Sequence, residues 1–209
     1  ITWYKGNSDG SFEMQVIATA TESARSVAAA DIDNDGDLDV LSASAYNDTI
    51  AWHQNTNGAF TTITISTDMN HPVSVFSADV DGDGDVDVLS ASGADDKITW
   101  YENDNTVFES HTISITAKDA TSVYAVDLDG DGDMDVLSGH HNIVWYEYDG
   151  LGSFIPHTIS FSAASSVYAV DLDGDGDMDV VGSSDGSVSW YENDGICNTV
   201  SMTKMGDTI

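Results

Sequence analysis

Five aspartates alternate with other residues in the stretch Asp31-Ile32-Asp33-Asn34-Asp35-Gly36-Asp37-Leu38-Asp39-Val40, and the same pattern returns from Asp79 to Val88, Asp127 to Val136 and Asp171 to Val180. In a core strand, unpaired buried carboxylates would each cost several kcal/mol. Around a hard cation they are well chosen. Calcium takes roughly six to eight oxygens, and in a D-x-D-x-D-G loop the first, third and fifth positions offer carboxylates while the seventh offers its backbone carbonyl. Glycine at the sixth position permits the sharp turn that gathers these groups. The alternative, a solvated acidic turn, suits one copy better than four that hold glycine and five aspartates in fixed places.

An EF-hand loop closes with a glutamate at its twelfth position and lies between helices. Here the twelfth residue is Ser42, Ser90, Ser138 or Gly182. The last acidic residue is the ninth, Asp39, Asp87, Asp135 or Asp179, and Val-Leu-Ser or Val-Val-Gly follows it, which reads as a strand. Each loop is therefore expected to join two strands.

The loop starts lie 48, 48 and 44 residues apart, and Trp3, Trp52, Trp100, Trp145 and Trp190 lie 49, 48, 45 and 45 apart. That period is the length of a propeller blade. Each unit reads as four short strands. The first precedes the loop, as in Ser26 to Ala30, Ser74 to Ala78, Ser122 to Val126 and Ser166 to Val170, and its mostly small residues suit convergence on a central axis. The second follows the loop, and the third carries the tryptophan. In that third strand Ile98 and Trp100 alternate with Thr99 and Tyr101, so both faces are bulky, as a strand sandwiched between blades requires. The fourth begins at Phe12, Phe60, Phe108 or Phe154.

No segment of helical length shows a helical period with caps. The expected fold is an all-β propeller of four-stranded antiparallel blades, about four and a half of them, in units of approximately 1–20 (partial), 21–68, 69–116, 117–162 and 163–209. Gly195 to Thr199 replaces the phenylalanine that should open a fourth strand, and no fifth loop follows. The chain is expected to be part of a larger propeller or to close irregularly. It opens at Ile1 without a methionine, a signal peptide or a membrane-spanning run, which reads as a segment of a longer precursor.

The chain has 209 residues, 41% of them hydrophobic, which is enough for a core and excludes a disordered acidic tail. Its formal charge of -32 would be offset only by a quarter if four divalent ions bound. Such acidity argues against nucleic acid and anionic lipid, both of which are held by lysine and arginine. Five basic residues, Lys5, Arg25, Lys97, Lys118 and Lys204, are scattered through the chain. Cys197 is the only cysteine, so no internal disulfide forms.

Four D-x-D-x-D-G-D-x-D-V loops between strands, each followed by a Trp-Tyr-Glu-like strand, resemble FG-GAP or VCBS-type repeats, and related loops occur in the propeller of integrin α subunits. The resemblance covers nearly the whole chain up to about Asp194. It implies a calcium-stapled propeller of a secreted or cell-surface protein, working in adhesion or in protein or carbohydrate recognition, sometimes beside an enzyme. It also implies that Asp31, Asp33, Asp35 and Asp39 bind the ion through side chains and Asp37 through its carbonyl. The same roles fall to Asp79, Asp81, Asp83, Asp87 with Asp85; to Asp127, Asp129, Asp131, Asp135 with Asp133; and to Asp171, Asp173, Asp175, Asp179 with Asp177.

Strands that run up and down place the calcium loops and the turns between third and fourth strands on one face. The turns between second and third strands, Tyr46 to Asp48, Gly93 to Asp96, His140-His141 and Asp185-Gly186, lie on the other and vary most. Variable turns on a rigid scaffold are recognition candidates or simple drift. One tryptophan per blade at a constant position suits the core better than a sugar platform. His140 and His141 are neighbours on a strand and point opposite ways, so they make poor joint ligands, while His111 and His157 recur at equivalent positions, as structural residues do. With no nucleophile motif, catalysis is not expected. The expected partners are a protein or carbohydrate ligand, with self-association through exposed blade faces.

Overall fold

The computed structural model describes residues 1–19, 21–184, 186–195 and 202–208. Strands β1 (Thr2–Gly6) and β2 (Phe12–Val16) form a two-stranded sheet. Four full blades follow, each taking its strands in chain order. The first contains β3 (Ala24–Ala30), β4 (Asp39–Ser44), β5 (Thr49–Thr56) and β6 (Ala59–Ser66). The second contains β7 (Pro72–Ala78), β8 (Asp87–Ser92), β9 (Lys97–Asp104) and β10 (Val107–Ser114). The third contains β11 (Ser122–Val126), β12 (Asp135–Gly139), β13 (Ile143–Tyr148) and β14 (Phe154–Ser160), and the fourth β15 (Ser166–Val170), β16 (Asp179–Ser184), β17 (Ser187–Asn193) and β18 (Met202–Thr208).

This is the all-β, blade-built architecture expected from the repeat, and among the described residues there is no helix. Every pairing is antiparallel, and its register repeats. The tryptophan of the third strand sits opposite the same second-strand position in each blade: Leu41 with Trp52, Leu89 with Trp100, Leu137 with Trp145 and Val181 with Trp190. The inner strands β3, β7, β11 and β15 pack side by side, with the ring centroids of Phe76, Tyr124 and Tyr168 successively 4.7 and 5.0 Å apart, and glycines of the second strands β12 and β16 allow close approach. A Cβ at Gly139 would lie 3.1 Å from the carbonyl oxygen of Ala164, and one at Gly182 would lie 2.5 Å from Ile143 Cδ1.

Three hydrophobic clusters fill the gaps between successive full blades. The second residue of the first three aspartate loops is driven into them: Ile32, Val80 and Leu128 are almost fully buried, whereas Leu172 of the last blade is half exposed. The loop is thus anchored by an apolar plug as well as by its aspartates. The outer strands β6, β10 and β14 are largely exposed and rich in threonine and serine.

The tail differs from expectation. No phenylalanine marks it, yet β18 pairs antiparallel with β17 from Asn193 opposite Met202 to Val188 opposite Thr208, with an irregularity between Trp190 and Tyr191. A fourth strand needs only unpaired backbone on its neighbour and residues compatible with extension, and Met202–Thr208 meets that need without the marker. Residues 196–200 of the unusual stretch lie outside the described residues, as does Asp185 of the last variable turn.

Candidate metal centres

Each loop is first folded by its own carboxylates. Asp31 accepts backbone N–H groups from Asp35 at 3.1 Å and Gly36 at 2.9 Å. Gly84, Gly132 and Gly176 donate in the same way to Asp79, Asp127 and Asp171, at 3.0, 3.1 and 3.2 Å. These sixth-position glycines have φ between 92° and 104°, a left-handed conformation that a side chain would strain. The fifth-position carboxylates of Asp35, Asp83, Asp131 and Asp175 accept from the backbone N–H two residues on, at 2.8, 2.8, 2.9 and 3.0 Å.

The result is four convergent clusters: Asp31, Asp33 and Asp39; Asp79, Asp81 and Asp87; Asp127, Asp129 and Asp135; Asp171, Asp173 and Asp175. Within each, one oxygen per residue lies within 4.8 Å of the others. Calcium binds oxygen at roughly 2.3–2.6 Å, so oxygens on opposite sides of the ion are about 5 Å apart. Asp33 Oδ1 and Asp79 Oδ1 are buried and have no hydrogen-bond partner. A buried, unpaired carboxylate oxygen is costly, and a cation at the cluster relieves it.

Of the expected side-chain ligands, Asp35, Asp83, Asp131 and Asp179 fall outside these tightest groups. The seventh-position side chains turn elsewhere: Asp37 accepts the N–H of Asn57 at 2.7 Å and Asp85 that of Asn105 at 2.9 Å. Both donors sit in the turn between third and fourth strands, which puts that turn on the face of the aspartate loops. For Asp133 and Asp177 the backbone N–H is held by Asp131 and Asp175.

The ninth aspartate has a second task that its sequence position does not announce. Asp39, Asp87, Asp135 and Asp179 are buried. Their Oδ2 atoms accept N–H groups from Ile32, Val80, Leu128 and Leu172 at 3.0–3.1 Å. Their Oδ1 atoms accept from Asn55, Asn103, Tyr148 and Asn193 at 2.6–2.9 Å. Each ninth carboxylate therefore staples its loop to the third strand, three residues beyond the tryptophan. Burial pushes the carboxyls of Asp87 and Asp135 up to about 6, against the pull of these hydrogen bonds. Asp81 and Asp129 are raised as well, by burial first and then by neighbouring carboxylates. Concentrated negative charge that resists ionisation is what a divalent cation would neutralise.

The remaining candidates are structural. Trp52, Trp100 and Trp145 are buried, Trp190 is partly buried, and Trp3 on the two-stranded sheet is 38% exposed. His111 and His157 pair with Glu102 and Glu147 at 2.7 Å and lie against Trp100 and Trp145. His140 is buried and His141 exposed, and both lie in the turn between β12 and β13 and not on a strand as expected. Asp48 and Asp96, in the variable turns, accept the N–H groups of His71 and Asp119 at 2.8 and 2.9 Å, so these two turns are partly scaffold. A cavity of about 360 Å³ opens between the second and third blades, lined by Ser114, Thr116, His140, Asn142, Tyr146 and Thr158 among others. His140 Nε2 is buried there without a partner.

Known proteins add the following. The chain is similar to an Agrocybe aegerita lectin described as specifically recognising non-reducing terminal N-acetylglucosamine, at 21% identity and a TM-score of 0.57, over 84% of this chain and 50% of that one. It is also similar to a Bacteroides uniformis protein named as a 6-phosphogluconolactonase, at 11% identity and a TM-score of 0.65, over 99% of this chain and 64% of that one. Identities this low establish the fold alone, and the chain spans only half to two thirds of these structures. No curated protein matches. The FG-GAP-like repeat matches over residues 1–42, 31–90, 79–138 and 136–182, each span containing at least part of an aspartate loop. Loops, register and blade order agree with that match, and the chain belongs to the FG-GAP-like repeat family, folded as a β-propeller.

Proposed function

We propose that this chain is a calcium-binding, non-catalytic recognition module of a secreted or cell-surface protein, taking part in adhesion or ligand binding. The observation that carries the calcium reading is the pair of buried, unpartnered oxygens, Asp33 Oδ1 and Asp79 Oδ1, within converging aspartates. Asp31, Asp33 and Asp39, with their counterparts in the other loops, would hold the ion. It would supply the positive charge that lets these carboxylates ionise together. An extracellular setting is supported by chemistry: calcium modules of modest affinity, on the order of 10⁻⁴ to 10⁻³ M, fill outside the cell. Calorimetric titration of the chelator-stripped chain tests the proposal. Uptake of about one calcium per loop is expected, and failure to take up calcium would overturn it.

A carbohydrate ligand is the second reading. It is favoured by the cavity at His140, whose lining mixes polar groups with Ile113, Ile115, Val144 and Pro156, and by the likeness to a lectin. A glycan-array screen of the calcium-loaded chain tests it, with His140→Ala beside the wild type. Binding lost in the variant supports the cavity as the site, and silence from folded protein favours a protein partner. Self-association is proposed as well, on the exposed Phe12, Met14 and Val16 of β2, and light scattering that reports a monomer well above micromolar concentration would count against it.

A further inference from the structure

Asn103 and Asn193 make side-chain bonds that cross from one blade to the next. Asn103 Nδ2 donates to the carbonyl of Ile32 in the preceding loop at 3.1 Å and to Val86 of its own loop at 3.0 Å. Asn193 Nδ2 donates to Leu128 of the preceding loop at 3.2 Å and to Met178 of its own at 3.4 Å. Both asparagines are buried. At the gap between the second and third blades the same position is Tyr148, which keeps the backbone bond to Asp135 but has no amide to reach across, and packs instead against Trp100 and Phe154.

The path between neighbouring clusters is short. Asp39 holds the N–H of Ile32, the carbonyl of Ile32 holds the Asn103 amide, and the N–H of Asn103 is held by Asp87. Two residues, Ile32 and Asn103, separate a carboxylate of the first cluster from one of the second. Asp135, Leu128, Asn193 and Asp179 repeat that path between the third cluster and the anchor of the fourth loop. The first pair has a further link, because Asn34 Nδ2 donates to Asp85 Oδ1 at 2.9 Å, whereas Gly82, Gly130 and Gly174 stand at that loop position elsewhere.

Resting on the calcium reading above, we infer that the four sites work as two cooperative pairs, first with second and third with fourth, with Asn103 and Asn193 as the positioning residues that couple them. Ordering one loop fixes the peptide that its neighbour's asparagine grips, so the second ion meets a loop already partly ordered. Coupling between binding sites typically changes affinity by roughly 5- to 150-fold and acts in both directions. At Tyr148 the path is interrupted, and the second and third sites fill independently. The doubly linked first pair is the more strongly coupled.

Calcium titration by calorimetry on full-length variants tests this pairing. Asp127→Asn, Asp129→Asn, Asp171→Asn and Asp173→Asn together leave the first two loops intact. Asp31→Asn, Asp33→Asn, Asp171→Asn and Asp173→Asn leave the second and third. Asparagine has one acceptor oxygen and keeps only one of the two loop N–H bonds at Asp31, Asp127 and Asp171, so melting curves in calcium verify that each variant folds. The expected Hill coefficient is clearly above unity in the first protein and unity in the second. Equal coefficients in the two overturn the pairing, whereas a wild-type chain that takes up no calcium overturns the underlying reading instead. Asn103→Ala in the first protein is expected to lower its coefficient, and Asn103→Ala together with Asn34→Gly to reduce it to unity, without changing the number of ions bound. Tyr148→Asn in the second is expected to raise its coefficient above unity, and a coefficient left at unity there counts against the amide as the coupler.

Discussion

Asp87 Oδ1 accepts the backbone N–H of Asn103 at 2.8 Å, so the last aspartate of the second loop is bonded to the strand that follows the next turn. Its other oxygen holds Val80 at 3.0 Å. Asp87→Ala leaves two buried N–H groups without an acceptor, and such groups cost roughly 1–3 kcal/mol each. A loss of about 3 kcal/mol is expected from denaturant unfolding, even in saturating calcium. Asp83→Asn, at an exposed position whose local N–H bond asparagine preserves, is expected to leave the calcium-free protein unchanged. Equal losses from the two substitutions would contradict the stapling role.

On the calcium binding proposed above, chelation would remove the counter-charge from every cluster at once. At free calcium about a hundred times Kd, one site contributes about 2.7 kcal/mol. For a chain of this size 1 kcal/mol moves the melting temperature by roughly 2–4 °C. Excess chelator is therefore expected to lower the melting temperature by roughly 10 °C or more. An unchanged thermal scan would end the calcium account.

Gly139 faces backbone across the gap to the fourth blade, with the carbonyl oxygen of Ala164 3.1 Å from where a Cβ would stand. A backbone neighbour yields less readily than a side-chain tip. Gly139→Ala is expected to destabilise by about 1–3 kcal/mol, as overpacking does, and the same substitution at the exposed Gly152, which has open space but φ of 96°, tests strain without crowding. Unfolding free energies of both variants separate the two causes.

His53 is fully buried, with one ring nitrogen 2.9 Å from Ser42 Oγ and the other 2.9 Å from Thr62 Oγ1. Burial holds its imidazolium below the ordinary histidine range. An unfolded histidine titrates near 6.5, so the unfolded chain takes up a proton that the fold rejects. The stability that His53 contributes is present above about pH 6.5 and is lost as pH falls below it. Compared with His53→Gln at the same calcium concentration, the wild type should lose stability faster between about pH 6.5 and 5. Parallel pH profiles would show that the ring takes up its proton equally in the folded and the unfolded chain.

The blade architecture was legible because its markers are periodic: the loops and tryptophans recur with a blade's spacing, and the structure gives each a fixed register. The double use of Asp39 and its counterparts was not, since a carboxylate that accepts backbone N–H groups and one that faces a cluster are the same letter. A weak signal for the asparagine links was present, in that the residue three beyond the tryptophan is Asn55, Asn103 or Asn193 in the first, second and fourth full blades and Tyr148 in the third. Only coordinates reveal that two of those amides span a gap. Strand β18 carries no sequence marker of its own, since its pairing with β17 depends on backbone and not on a phenylalanine.

Each sheet is assembled from consecutive strands, and successive blades meet through β3, β7, β11 and β15. A blade is therefore an exchangeable cassette. A duplication or deletion in the gene that spans one whole repeat would add or remove one cassette and leave every remaining strand with its partner. A length change of half a repeat would instead strand a hairpin without its mate. Drift in the number of blades among descendants of such a sequence should proceed in whole steps, with each new copy bringing its own metal loop.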